Sequence, residues 1–137
     1  MEKTLVLVKP DAMQRGLANI ILSRLEKLGL RLAALKMLHL DKALAERHYA
    51  VHRDKPFFKD LVSYITSTPI VAAVLEGDNA VERARKAMGT TDPAKAEAGT
   101  IRRDFGISIE KNSVHGSDSP QTAEYEISLF FTEDEVF

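Results

Sequence analysis

The sequence predicts a mixed α/β (α+β) fold, and three observations predict it. Strand-like and helix-like patterns alternate with short breaks along the 137 residues. Ile70 to Leu75 is apolar at every position, the mark of a strand covered on both faces. No internal repeat or low-complexity segment interrupts the alternation. The order is strand, helix, strand, helices, strand, helix, strand, helix. It suits a β-α-β-β-α-β ferredoxin-like sandwich with added helices. A small doubly wound parallel sheet is the alternative, and connection lengths alone leave both open. The length suits a single domain over residues 1–137.

Each element has a local reason. Thr4 to Val8 is a short β-rich run stopped by Pro10, and a polar loop follows from Asp11 to Gly16. Ala18, Ile21, Leu22, Leu25 and Leu28 then share one helical face, with Gly29 placed as a left-handed stop. Leu30 to Leu40 reads as a long strand whose alternation slips near Lys36, which suggests a bulge. Asp41 caps a short helix reaching about Val51, and His52 to Lys55 is a polar loop. Pro56 opens a helix carrying Phe57, Phe58, Leu61, Val62 and Ile65, with both phenylalanines expected in the core. After the strand at Ile70, the Glu76–Asn79 segment turns the chain into a helix that ends at Gly89. Gly89 to Gly106 reads as a long loop with at most one helical turn, a kind of segment that often carries function. A short strand lies within Ile107 to His115. Ser119-Pro120 opens the last helix as N-cap and first helical residue.

Composition narrows the function. Hydrophobic residues make up 45% and charged residues 28%, so a core can form without staples. There is no cysteine, which excludes disulfides and thiolate metal sites. The net charge of −1 implies no general attraction to nucleic acid or membrane. The apolar run Leu5–Val8 is too short for a signal-peptide core or a membrane span, and a cytoplasmic protein is expected.

His115 is the first candidate for chemistry. It sits in Asn112-Ser113-Val114-His115-Gly116-Ser117-Asp118-Ser119, between a strand-like approach and a capped helix. A neutral imidazole is a competent nucleophile near neutral pH; turn and cap chemistry alone is the plainer reading of the same residues. His48 and His52, four apart, lack a third ligand at a recognised spacing and read as surface residues, and His39 reads as a strand residue. A metal held by protein side chains alone is therefore not expected. Lys9 ends the first strand, Arg85 lies near a helix end, and Arg102 lies in the long loop with Thr91, Gly99 and Thr100. Arginine with small hydroxyl residues suits phosphate oxygens, although neither common phosphate-cradling glycine motif is present.

At His115 the sequence resembles a known family. Asn112-x-x-His115-Gly116-Ser117-Asp118-Ser119 is similar to the active-site signature of the nucleoside diphosphate kinases. Lys9-Pro10-Asp11 with Gln14-Arg15-Gly16, His48-Tyr49, Pro56-Phe57-Phe58, Thr91-Asp92-Pro93 and Gly99-Thr100-Ile101-Arg102 resemble the family in the expected order. The likeness runs from about Thr4 to about Phe131. It implies the ferredoxin-like sandwich with a four-stranded antiparallel sheet. It also implies ping-pong exchange of a γ-phosphate between nucleoside triphosphates and diphosphates, such as ATP and GDP, with Mg²⁺, low base selectivity and a phosphohistidine at His115.

The resemblance assigns roles position by position. Lys9, Arg85, Thr91 and Arg102 match phosphate-holding residues, and Lys9 and Asn112 match those that reach the ribose. Phe57 matches the residue stacked on the base, Ile109 its apolar counterpart on the other face, and Leu61 a further wall. Tyr49 matches a tyrosine beside the phosphates. Glu126 matches the carboxylate that hydrogen-bonds the imidazole, with Ser117 supporting it. A homo-oligomer, tetramer or hexamer, is implied as well. Arg103 stands where the family usually has glycine and Ala98 where many eukaryotic members have proline, and there is no longer C-terminal extension past Phe137. These features resemble bacterial members.

Overall fold

The structure, a computed structural model, describes residues 1–137. Its elements are β1 (Glu2–Val8), α1 (Pro10–Gln14), α2 (Ala18–Glu26), β2 (Arg31–Leu38), α3 (Lys42–His48), α4 (Phe58–Ile65), β3 (Ile70–Gly77), α5 (Ala80–Met88), α6 (Ile101–Phe105), β4 (Val114–Gly116) and α7 (Pro120–Phe130). The strands form one sheet in the order β2-β3-β1-β4. Every pairing is antiparallel, so the ferredoxin-like sandwich is the fold and the parallel sheet is excluded.

Alternation along β1 divides the core. Leu5 and Leu7 project into one apolar cluster with Ala45 of α3, Val62 and Ile65 of α4 and Phe130 of α7. Val6 and Val8 project into the other, with Ile21 and Leu25 of α2, Ala84 and Met88 of α5 and Ile101 of α6. The side-chain period of a strand is two, so one strand feeds both layers. β3 does the same with Ile70, Ala72 and Val74 on one face and Leu75 on the other. The continuous apolar run at Ile70–Leu75 is thus explained by its central place and two covered faces. No helix is long and apolar enough to cross a membrane.

Several boundaries differ from the sequence reading. Asp11 to Gly16 is not simply a loop, because α1 forms there; Pro10 at the first helical position and Asp11 in the first turn are start signals that outweigh the polar composition. The irregularity in β2 falls between Leu32 and Ala34 rather than near Lys36. His39 lies just beyond β2, on the surface, and is not a strand residue. The segment after Gly89 contains a 3₁₀ turn at Pro93–Lys95 and the helix α6. Arg102 is therefore a helix residue. Arg103 is one too, and its backbone stays outside the left-handed region, so the loop shape needs no glycine there. The caps read from sequence are present: Asp41 accepts from the Leu44 amide and Ser119 from the Thr122 amide. Gly29 and Gly89 take φ of +83° and +89°, where an L side chain would be strained.

Candidate active site

His115 stands in the middle of β4, opposite Leu7 of β1. Directly paired residues share a sheet face. The imidazole therefore lies on the face covered by α3, α4 and α7, while Val114 and Gly116 turn toward α5. Position 116 has to be small, since a Cβ there would lie 2.0 Å from the Met88 Cε. Just before the strand, buried Ser113 holds φ of +73°, and its carbonyl accepts from the Lys9 amide at 2.9 Å. A non-glycine residue held in this region costs of order 1–3 kcal/mol and persists only when its surroundings fix it. Here it ties the start of β4 to the end of β1.

A relay of hydrogen bonds fixes the ring. The Leu5 amide donates to Ser117 Oγ (3.2 Å), and Ser117 donates to Glu126 Oε1 (2.6 Å). Both carboxylate oxygens stand 3.1–3.2 Å from His115 Nε2. An ionised carboxylate only accepts, so Nε2 carries the proton and Nδ1 is left with the lone pair. Nδ1 makes no hydrogen bond within the protein. Burial opposes ionisation of Glu126, but the bonds and charge coupling to His115 and Ser117 outweigh it and hold its pKa below the usual carboxylate value. Glu126 is presented by the buried stripe Ala123, Glu126, Phe130 of α7.

Three cations surround the same opening. Lys9 is buried, and its Nζ donates to the Glu110 carbonyl (2.8 Å) and to Asn112 Oδ1 (3.0 Å). Burial lowers its pKa to about 8 against the opposing pull of Asp11, with Arg102 adding to the lowering. Asn112 is fixed in turn by donating to the Thr91 carbonyl at 3.0 Å. Arg102 is buried and donates to the carbonyls of Gly89 (2.9 Å) and Val114 (2.8 Å). Its pKa falls to about 10, through burial first and then the charge of Arg85, which leaves it charged at neutral pH. Arg85 is more exposed and reaches Asp118 (2.7 Å) and the Gly116 carbonyl (3.3 Å).

One cleft of about 810 Å³ is lined by Lys9, Tyr49, Phe57, Leu61, Arg85, Thr91, Arg102, Ile109, Asn112, His115 and Glu126. These are all the site residues read from sequence except Ser117, which lies buried behind Glu126. Tyr49 is largely withdrawn from water, and burial raises its pKa. Toward the other end, Phe57 is 45% and Ile109 60% exposed. Phe57 is therefore not the core residue that the apolar pattern suggests, whereas Phe58 does pack against the core. The N-cap position of α4 explains the difference, because its side chain leaves the helix's buried stripe.

Two neighbours were not anticipated. His48 is not a surface residue: its ring is buried, edge-on to His115 (centroids 4.8 Å apart) and to Phe130 (5.4 Å). Neither ring nitrogen has a hydrogen-bond partner. Burial, helped by His115, lowers its pKa to about 3, so the 3.6 Å approach of its Nδ1 to Glu126 is not an ion pair. A signal was present in the sequence, since His48 follows Ala45 by three positions and shares its helical face. Asp118 stands in the motif around His115, but its contact with Arg85 had no comparable signal.

Comparison with known proteins identifies relatives of the chain. The family model for nucleoside diphosphate kinase matches residues 2–136. A relative from Dehalococcoides mccartyi, named nucleoside diphosphate kinase, is 65% identical over 136 residues, covering 99% of this chain and 96% of that protein. The crystal structure of the Aquifex aeolicus nucleoside diphosphate kinase superposes with a TM-score of 0.97 at 44% identity, covering 99% of both chains. A halophilic nucleoside diphosphate kinase from Halobacterium salinarum, solved in complex with CDP, gives a TM-score of 0.96 at 48% identity, covering 99% of this chain and 91% of that one.

Proposed function

The chain belongs to the nucleoside diphosphate kinase family, and from that premise we propose that one domain, residues 1–137, transfers the γ-phosphate of a nucleoside triphosphate to a nucleoside diphosphate through phosphorylated His115. The observation that carries this is the division of labour on the ring. Nε2 is occupied by Glu126, while Nδ1 is unbonded on the wall of a cleft that also holds Lys9, Arg85 and Arg102.

In the first half-reaction Nδ1 attacks the γ-phosphorus. The Nδ1–P bond forms, and the bond to the β–γ bridging oxygen breaks, its electron pair leaving with the diphosphate. The proton stays on Nε2, where Glu126 compensates the growing positive charge of the ring. A terminal oxygen of a second diphosphate then attacks the phosphorus and the Nδ1–P bond breaks. The two halves are alike, which suits a reversible exchange. Lys9, Arg85, Arg102 and Thr91 hold the phosphate oxygens, since phosphoryl transfer asks mainly for positioning and charge stabilisation. Tyr49 lines the same end. Asn112, with Lys9, reaches the ribose. Phe57, Ile109 and Leu61 offer apolar surface to the base, and a flat apolar face accepts any base. This supports ATP, GTP and other triphosphates as donors, and GDP and its relatives as acceptors.

The donor set suits magnesium carried by the nucleotide rather than held by the chain. Glu126 is engaged by Ser117 and His115, and Asp118 by Arg85, so no octahedral carboxylate cage is on offer. Bound through phosphates and water, Mg²⁺ would neutralise charge on the β- and γ-oxygens. We also take the protein to be a cytoplasmic homo-oligomer, tetramer or hexamer. Exposed Leu35 and Met37 on the edge strand β2 support self-association, and light scattering on a sizing column tests it.

The deciding experiment mixes the protein with γ-labelled ATP and then adds GDP. Acid-labile label should appear on the protein, move to GTP, and be absent in His115→Ala. Label bound only as intact ATP, or protein label that never reaches GDP, would overturn the proposal.

A further inference from the structure

His48 and His52 stand at a helical spacing that suggests a metal pair, but the fold sends His48 elsewhere. It joins His115 and Glu126 in a cluster whose candidate ligand atoms all lie within 4.8 Å of one another. His48 Nδ1 is 3.6 Å and His115 Nε2 is 3.1 Å from the same oxygen, Glu126 Oε2. In a tetrahedral zinc site with ordinary bond lengths the ligand atoms stand about 3.3 Å apart. Two separations already bracket that value, and the His48–His115 nitrogens, within 4.8 Å of each other, have to draw together for all three groups to hold one ion. The other carboxylate oxygen is held by Ser117, so Glu126 can ligate without losing its support.

We propose that His48, His115 and Glu126 form an inhibitory site for a borderline-soft divalent cation of the zinc type, entered through the nucleotide cleft. Three features support it. Both nitrogens of His48 are buried without partners, an arrangement that costs about 1–3 kcal/mol unless a partner arrives. Two imidazoles and a carboxylate form a donor set that suits zinc, cobalt or copper and not magnesium, which demands six oxygens. Three protein ligands on a wall of the cleft leave the fourth position to water or a phosphate oxygen.

Inhibition follows from proton placement, and this part rests on the proposed role of His115 as nucleophile. To ligate, Nε2 gives up the proton it donates to Glu126. The neutral ring then carries its proton on Nδ1, and the lone pair that should attack phosphorus is gone. The metal needs no competition with nucleotide to act, because it changes the tautomer.

The test measures binding without nucleotide, so it stands apart from any failure of the kinase reading. Co²⁺ titrated into the protein should give visible absorption bands of four-coordinate geometry, saturating at one ion per chain and displaced by Zn²⁺. Affinity for Zn²⁺, read by competition with a chromogenic chelator, should fall at least about tenfold in His48→Asn and in Glu126→Gln, with folding checked by circular dichroism. His39→Ala, away from the cluster, should bind as the parent does. In the transfer assay with excess Mg²⁺, Zn²⁺ should inhibit at the concentration at which it binds, and chelator should restore the rate. Binding unchanged by both substitutions, or only octahedral cobalt spectra, would overturn the site. Stoichiometric binding without inhibition would overturn the tautomer argument while leaving the site standing.

Discussion

The two ends of the cleft are built by different physics. At the end proposed to hold the phosphates, the buried charged groups are anchored. Lys9 and Arg102 are buried and spend donors on backbone carbonyls, and Glu126 is braced by Ser117, the residue after β4. At the end proposed for the base, two apolar residues, Phe57 and Ile109, stand half-exposed. The first end is preorganised and therefore exacting about charge and geometry. The second offers flat apolar area, and on the proposed reading it would tolerate different bases. On the proposed reading, such a site would be selective for the group transferred and indifferent to the base that carries it.

The strongest way to break the comparison is to remove a cation from the anchored end. Arg102→Ala and Arg85→Ala should each lower kcat/KM by about 10²–10³-fold, the usual cost of one donor to a developing anionic charge. They should differ in stability. Arg102→Ala leaves the Gly89 and Val114 carbonyls without their partner and should lower stability by about 2 kcal/mol in urea unfolding. Arg85→Ala loses an exposed ion pair and should change stability by less than about 1 kcal/mol. Equal destabilisation of the two variants would show that the anchoring of Arg102 has no energetic meaning.

The open end predicts a smaller and more even effect. Phe57→Ala should raise KM by about tenfold, in line with about 1–3 kcal/mol for a stacked base, and leave kcat within about threefold. The loss should be alike for ATP, GTP and CTP, and steady-state kinetics with the three donors measure it. A loss confined to purines would sharpen the account by showing that stacked area is read. A loss confined to one base would contradict it.

How far these features could be read from the sequence follows the same division. Capped helices, the buried strand at Ile70 and the strand-to-helix junction at His115 are local, and their residues carry the signal in order. Strand order is not local; periodicity left parallel and antiparallel sheets both open, and the choice came from resemblance to a family. The burial of Phe57 was misread because an apolar residue at a helix start carries the same pattern whether it faces in or out. α6 is legible only as one turn within a long loop, because five residues are too few to show a period, although its Thr100 cap marks the start. His48 was misread for a different reason. Its helical face was legible, but a histidine on an apolar face finds its meaning only in its neighbours, here His115 and Phe130 from elements far along the chain.

That residue gives the effect most specific to the buried end. His48 keeps a pKa of about 3 in the folded protein because burial, and the nearby His115, disfavour its charged form, against about 6.5 when unfolded. The folded value is the lower one, so the unfolded chain binds the extra proton. The stability is therefore fully present above about pH 6.5 and is lost as pH falls from there toward 3. Between pH 7 and pH 5 the loss from this group alone comes to about 2 kcal/mol, or roughly 7 °C in Tm for a chain of this length. Phenylalanine has a similar shape, cannot be protonated, and would sit among the same rings without orphaned nitrogens. The decline in Tm across that range should therefore be shallower in His48→Phe by about that amount, whatever the two proteins' Tm values at neutral pH. Parallel curves would mean that the ring is hydrated or able to move out when it is charged, and the picture of a dry ring packed against His115 would fail with it.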